Sequence, residues 1–599
     1  MNLTQPAVGN GDFKIEAFLA GDKFVYGNSA SGDTILYCVR MAASLLTVLL
    51  GLLIFFAGRE MFNATAGLLA LTLFVFDPNI LAHGAYVTTD IGLSCFLLAT
   101  VYGFYRYLKS PSWARLLLTG AAAGCALAAK HSGVLLFPIL LLLAIAEVIR
   151  GRDRIEVSAP TKDSRLRRAL RYVGALVCIK LVAVGILWAF YGFRYAARPD
   201  GLSLNPPLAE YVQGLHHPFE IWIISLFARW HLLPESYLYG LTDVRLIADF
   251  MSTGLLGRVY PHGKWFYFPI AFVIKTPLLL MLLLAVALFF IVRGRLGRSR
   301  ELLFLTIPPA VYLTVAMSTG LNIGLRHTLP AYPYIFILSG AAAAALIAQN
   351  RRWAYVLAVL FVLHLVSLAH SRNAYLAYSN ELWGGPSQTY QYLTDSNVDW
   401  GQQLPSVKAY IDQHHVGECW FAYFASVAHP SAYGIPCHDL PTTGSMWLHH
   451  EFEVPPAIDG TVFISAGVLS GFELGPDELN PYDLFQHLKP VAVIDDGVFV
   501  YEGHFEVPLA SAINHITRSQ IFADRGQMNA ALAEAQTAAK LAPKSARVEA
   551  ALAKLLVKMN KPAEARGAYQ SAIMDAETVE PVFQADMLKD LEKSLRSLN

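Results

Sequence analysis

The chain has 599 residues, 55% of them hydrophobic and only 15% charged, with a mean hydropathy of +0.42. A soluble domain carries roughly 25% charged residues, so the composition excludes an ordinary soluble globular protein and points to the membrane. A formal net charge of +1 gives no electrostatic ground for nucleic-acid binding, and the length calls for several domains.

In chain order, residues 1–36 are polar and slightly acidic, without a signal peptide. Spanning segments need roughly 17 to 25 mostly apolar residues. They are expected near 37–57, 64–82, 87–107, 113–130, 133–149, 172–193, 266–293, 302–318, 330–348 and 353–371. Lys and Arg cluster at Arg59, at Arg106, Lys109 and Arg115, within 150–172, within 293–300, and at Arg351 and Arg352. Alternating helices put these five loops on one side, the cytoplasm. The opposite side then holds 83–90, the stretch near 130–133, the long loop 194–265, the loop 319–329 and everything after 371. Residues 1–36 fall there too, read as the remainder of a first outer loop: a short tail can translocate unaided, yet with no preceding helix to carry it across the simpler expectation is a first helix missing ahead of it. Residues 37–371 are thus a transmembrane domain with a large outer loop, 194–265.

Beyond the spans the pattern changes. Within 372–506, "GECWFAYFASVAH", "GTVFISAGVL" and "KPVAVIDDGVFVYEG" read as strands and "GQQLPSVKAYIDQHH" as a helix. A small extracytoplasmic α/β domain is expected, in which Cys419 and Cys437 either pair or remain two buried thiols. Cys38, Cys95, Cys125 and Cys178 lie in or beside apolar segments, as small buried hydrophobes do. Residues 507–599 are Ala-rich and helical with a period of 34: Ala531 matches Ala565, Ala535 matches Tyr569, Ala538 matches Ala572, and Gly526 matches Asn560 at the turns. That spacing resembles tetratricopeptide repeats. About two repeats fit, so the tail is expected to dock on a neighbour and serve protein contact.

Ionisable groups in or at the edge of spanning helices are functional candidates, because burying charge in a membrane is costly. Asp90 opens an apolar run and follows His83 on a short turn; its alternative role is a helix cap. Lys275 lies well inside its span, where a phosphate or carboxylate partner is expected, and Pro277 loosens the backbone beside it. Lys130 and Arg326, the latter next to His327, sit at outer helix ends. One carboxylate and three cations on one membrane face suit an anionic, phosphate-bearing lipid. The outer loop is rich in His and aromatic residues, and its "HPFEIWIISLFARWHLLP" is expected to lie in the interface plane. Its histidines have no metal-ligand spacing. "DSNVDWGQ" (395–402) imitates the start of a calcium loop but has Trp400 where glycine is needed and Ser406 where glutamate is needed. A turn in which Asp and Asn bond their own backbone is expected instead.

"FDPNILAHGAYVTTD", "GCALAAKHSGVLLFP", "LPESYLYGL", "GKWFYFPIAFVIKTPL", "NIGLRHTLPAYPY" and "YLTDSNVDWGQQL" occur in this order. Together they resemble the family 39, protein-mannosyltransferase-like glycosyltransferases, which use polyprenyl-phosphate sugars and have the GT-C fold. The likeness covers roughly residues 16 to 505 and leaves out the repeat tail. It implies a polytopic α-helical membrane enzyme that takes a sugar from a lipid phosphate carrier on the outer face and passes it, with inversion, to an acceptor hydroxyl on a lipid, glycan or protein. In such enzymes an acidic residue of the first outer loop is the general base, an Asp of a "TTD" segment helps build the site, and basic residues hold the carrier phosphate. Asp90 matches directly and is the catalytic candidate; Lys130, Lys275 and Arg326 match as positions, and with His83 and His327 beside them are the substrate-binding candidates. The resemblance admits a divalent ion near the acids and no other cofactor. It implies a bacterial inner membrane, with the C-terminal domains extracytoplasmic. The family's Asp-Glu pair has no counterpart: Asp12, Glu16 and Asp22 stand in other contexts. The competing reading is therefore a non-catalytic relative that binds a polyprenyl phosphate or scaffolds an envelope complex through its tail. No inverted repeat of broken helices supports a transporter.

Overall fold

The computed structural model describes residues 4, 7, 9–150, 165–424 and 430–598. Most of the basic stretch within 150–172, and the end of the first strand-like segment after Phe424, lie outside the described residues.

The apolar runs form helices. Gly32–Met61, Thr89–Lys109, His131–Arg150, Arg165–Phe190, Ser299–Ser318, Leu325–Gln349 and Arg352–His370 are each long and apolar enough to cross a bilayer. With two bent pairs the number rises to nine among the described residues. Trp113–Ala129 is apolar but has 17 residues, the lower limit for a span. These helices make the chain an integral membrane protein. Thr89–Lys109 and Leu325–Gln349 are the most enclosed, whereas Arg352–His370 is peripheral. Small residues set the close approaches: a Cβ at Gly340 would lie 2.6 Å from the Ala66 carbonyl oxygen. Cys95 is buried, but Cys38 is exposed on the outside of its helix.

Two segments expected as single spans are broken instead. Ala64–Val75 turns by 66° into Pro78–Gly84, and Tyr267–Lys275 turns by 119° into Leu278–Val292. Each second half starts at or just after a proline, which cannot donate to the preceding turn. The Asp77 carboxylate caps the first break, accepting from the Asn79 and Ile80 amides at 2.9 and 3.1 Å. At the second, Asn79 Nδ2 donates to the Lys275 carbonyl (2.8 Å), and Asn380 Nδ2 donates to the carbonyls of Val273 (2.7 Å) and Thr276 (3.0 Å). Irregular backbone at membrane depth persists only when its polar groups find such partners.

The outer loop folds into short helices and the hairpin β1 (Thr253–Leu255) and β2 (Arg258–Tyr260). Its helix Pro218–Arg229 buries only Ile224 and exposes Phe219 and Trp222, with Trp230 exposed just after it, the pattern of an interfacial helix. The N-terminal helix Phe13–Tyr26 packs on this loop: Phe13 stacks edgewise on Tyr239, and Glu16 pairs with Arg198 at 2.6 Å.

A five-stranded sheet follows the spans, built from β3 (Cys419–Ala422), β4 (His438–Asp439), β5 (Ala457–Ser465), β6 (Ala492–Ile494) and β7 (Val498–Glu506). Its order is β4-β3-β5-β7-β6; β3 runs parallel to β4 and β5, while β7 is antiparallel to β5 and β6. Helix Leu404–His414 covers one face. Cys419 and Cys437 form a disulfide, so of the two alternatives the structure has the paired one.

β7 leads into helices Pro508–Asp524, Met528–Leu541, Ala546–Lys558, Pro562–Ala576 and Pro581–Arg596. All three residue pairs related by the 34-residue period are buried, and Gly526 and Asn560 both take positive φ, +76° and +58°, at the matching turns. The tail is docked on the chain itself: Ser511 Oγ donates to the Val454 carbonyl, Arg518 pairs with Glu453, and His262 of the outer loop meets Asp586.

Candidate active site at converging helix ends

Three helix termini bring the charged candidates together. Asp90 lies in the first turn of Thr89–Lys109, Lys130 ends Trp113–Ala129, and Arg326 begins Leu325–Gln349. Lys130 Nζ donates to Asp90 Oδ1 at 2.5 Å, and Arg326 Nη1 lies 3.5 Å from Asp90 Oδ2. The Asp90 side chain is 0% exposed, against 18% and 15% for its partners. Capping does not describe it: Thr88 holds the cap position, and the carboxylate turns to the two cations. The carboxylate is closed in by its ion pairs. Burying it without them would cost several kcal/mol.

Arg326 is fixed from the other side by a segment whose role the sequence reading missed. Its Nε donates to Ser396 Oγ at 2.9 Å, and its guanidinium stacks 4.3 Å from the centre of the Trp400 ring. Ser396 Oγ donates in turn to the Ile323 carbonyl, and Asn397 Oδ1 accepts from the Leu325 amide at 3.0 Å. The "DSNVDW" run is thus a bracket that holds the arginine. Asp395 does bond the adjacent backbone, at the Ser396 amide, but the run also reaches across to another helix end. The available signal was the density of buried-type polar residues immediately after an aromatic stretch, which a turn alone does not need.

His83 joins the cluster through its ring, edge-on to Trp400 at 6.4 Å and to Tyr86 at 6.2 Å. Its Nδ1, His327 Nε2 and Asp90 Oδ2 are buried atoms without a hydrogen-bond partner. Lys275 stands apart from this group. Its ammonium, 1% exposed, donates to the carbonyls of Leu376 (2.5 Å) and Asn397 (2.7 Å), tying the first residues beyond the spans to the break in its own helix. The early acids are engaged as well: Asp12 caps Phe13–Tyr26, and Glu16 holds Arg198.

A divalent ion does not fit the donors at Asp90. Both carboxylate oxygens face cations, and among the described residues no group of three or more His, Cys, Asp or Glu side chains is placed to hold a metal.

Within the bracket, removal from water pushes the Asp395 carboxyl up to about 6 and that of Asp399 up to about 7, and in the sheet domain it pushes that of Glu473 up to about 8. A carboxyl raised in the folded state binds protons that the unfolded chain releases. Its contribution to stability is therefore full below the ordinary carboxylate range, near pH 4, and is lost as pH rises through about 6 to 8. The sheet domain is expected to unfold at lower temperature at pH 8 than at pH 5. Asp399→Asn should flatten that slope in melts at constant ionic strength; an unaltered slope would remove Asp399 from the account.

Residues 24–198 match the family model described as dolichyl-phosphate-mannose-protein mannosyltransferase, a stretch that contains Asp90 and Lys130. No curated protein matches the chain. Among solved structures, ArnT from Cupriavidus metallidurans bound to undecaprenyl phosphate is 14% identical with a TM-score of 0.37, over 81% of this chain and 86% of that one. The oligosaccharyltransferase AglB from Archaeoglobus fulgidus, in complex with an inhibitory peptide and a dolichol-phosphate, is 12% identical with a TM-score of 0.36. That match covers 72% of this chain, which spans 56% of AglB. The resemblance read from the sequence to the protein-mannosyltransferase-like enzymes is thus found again, over residues 24–198.

Proposed function

We propose that the protein is a membrane glycosyltransferase that moves a sugar from a polyprenyl-phosphate carrier to an acceptor hydroxyl, with inversion, on the outer face of a bacterial inner membrane. The observation that carries this reading is the group Asp90, Lys130 and Arg326. One carboxylate stands between two cations where helix ends meet, and beside them the buried His83 Nδ1 and His327 Nε2 have no hydrogen-bond partner. An anionic phosphate is the natural complement, and positive charge beside it stabilises the departing phosphate during transfer. Asp90 orders the two cations; Arg326 offers a planar fork for phosphate oxygens. The acceptor is a lipid, glycan or protein hydroxyl, and the tail 507–599 is a protein-contact element.

Arg326→Lys is the informative variant, since it keeps the charge and removes the fork and the stacking on Trp400. Binding of a polyprenyl phosphate to the full chain in nanodiscs is expected to weaken about 10-fold, equivalent to about 1.4 kcal/mol. Unchanged binding would take Arg326 out of the phosphate site.

A second reading, lipid-phosphate binding without transfer, has one observation in its favour. Asp12 and Glu16 are both engaged structurally, so neither stands ready as a base. Release of sugar from the lipid carrier by the purified protein separates the two readings.

A further inference from the structure

Where the outer-loop hairpin meets the sheet domain there is a cavity of about 330 Å³, within the lower range of small-molecule sites of about 300–1,000 Å³. One wall is the hairpin. Its two-residue turn has Leu256 and Gly257 both at positive φ, +53° and +75°, the geometry of a tight hairpin turn matched to strand twist. Leucine is seldom found there, so the surroundings hold the turn in place: the Leu256 amide donates to the Tyr392 carbonyl at 2.7 Å, and Leu255 bridges to Leu393. The second wall is the segment 390–394; the third is the β7 side of the sheet, which contributes Tyr501.

Aromatic rings and hydrogen-bonding groups are interleaved across this cavity. Tyr390, Tyr392 and Tyr501 line it with aromatic rings, Tyr390 packed on Phe499 and accepting at its hydroxyl from Gln391 Nε2 (3.4 Å), while Thr394 brings a hydroxyl and Arg258 a planar donor. The exposed Arg258 guanidinium has no ion-pair or hydrogen-bond partner among the described residues. Among the described residues no carboxylate lines the space. A single exposed guanidinium is screened by water, unlike the enclosed cations at Asp90, and gives little hold on a charged headgroup, while an apolar chain would leave these donors unpaired. Rings that offer a flat C–H face and a rim of hydroxyls satisfy both kinds of surface at once.

We infer that this cavity is a saccharide-binding subsite for the sugar acceptor, resting on the transferase reading above. Its location fits that role. The wall 390–394 runs directly into the Asp395–Trp400 bracket that holds Arg326, so a glycan seated here lies against the same strip of chain that positions the phosphate-binding arginine.

The test uses the full chain in nanodiscs with a panel of soluble neutral oligosaccharides, namely mannobiose, maltotriose and chitotriose, and saturation-transfer NMR as readout. At least one sugar is expected to bind. Arg258→Ala, an exposed substitution, and Tyr392→Ala should each weaken it about 10-fold while the melting temperature of Arg258→Ala stays at the wild-type value. Arg326→Ala should leave sugar binding intact while weakening polyprenyl-phosphate binding, so loss of the phosphate reading and loss of this one are seen separately. Absence of binding by every sugar, equal binding in both cavity variants, or loss of sugar binding in Arg326→Ala would overturn the subsite.

Discussion

Asp90→Asn is expected to abolish sugar transfer, with a loss of at least about 100-fold, while the protein still inserts in the membrane. The substitution keeps the shape of the side chain but removes the charge that Lys130 approaches at 2.5 Å and Arg326 at 3.5 Å. Two cations would then share an enclosed site without their counter-ion. Breaking a buried pair in this way costs roughly 3–5 kcal/mol, and here part of that cost is relieved by the cations turning toward the polar rim. The measurement is turnover of a polyprenyl-phosphate sugar beside a membrane-insertion assay. Transfer at the wild-type rate would show that the carboxylate organises nothing the reaction needs. Lys130→Gln offers a cross-check: combined with Asp90→Asn it should recover part of the stability, because one of the two cations left without a counter-ion is removed, but not activity.

Lys275→Met is expected to act on stability first. Methionine fills the same length of cavity, yet leaves the Leu376 and Asn397 carbonyls without their donor. Each unsatisfied buried carbonyl costs about 1–3 kcal/mol, so the junction between the spans and the sheet domain should loosen by a few kcal/mol. Limited proteolysis is the readout, with new cleavage expected between residues 372 and 400. Donor affinity per folded molecule should stay within about 2-fold of wild type, because the lysine already has two carbonyl partners and a phosphate would have to displace them. A large loss of donor affinity in a protein that resists proteolysis would place Lys275 in the phosphate site after all.

Much of the architecture was legible in the sequence because bilayer thickness imposes length and apolarity on each span, and these are one-dimensional properties. The 34-residue period of the tail was legible for a related reason: Ala531 and Ala565 must stay small wherever neighbouring helices press together. That Asp90, Lys130 and Arg326 belong to one face followed from counting helices.

What the sequence left open depended on the third dimension. An apolar run looks the same whether straight or bent, so the break at Pro78 emerged only once Asp77 capped it, and the one at Pro277 only once Asn79 and Asn380 took the freed carbonyls. The two hydrogen-bond partners of Lys275 are backbone carbonyls, which no side-chain pattern announces. The pairing of Cys419 with Cys437 depended on two strands running parallel next to each other. The bracket from Asp395 to Trp400 holds Arg326 across a separation of some seventy residues. Composition and periodicity are set by the solvent each segment meets, so the chain alone determined a membrane protein with charged groups at helix ends. Which of those groups face one another is set by packing between distant segments, and only the tertiary structure decided it.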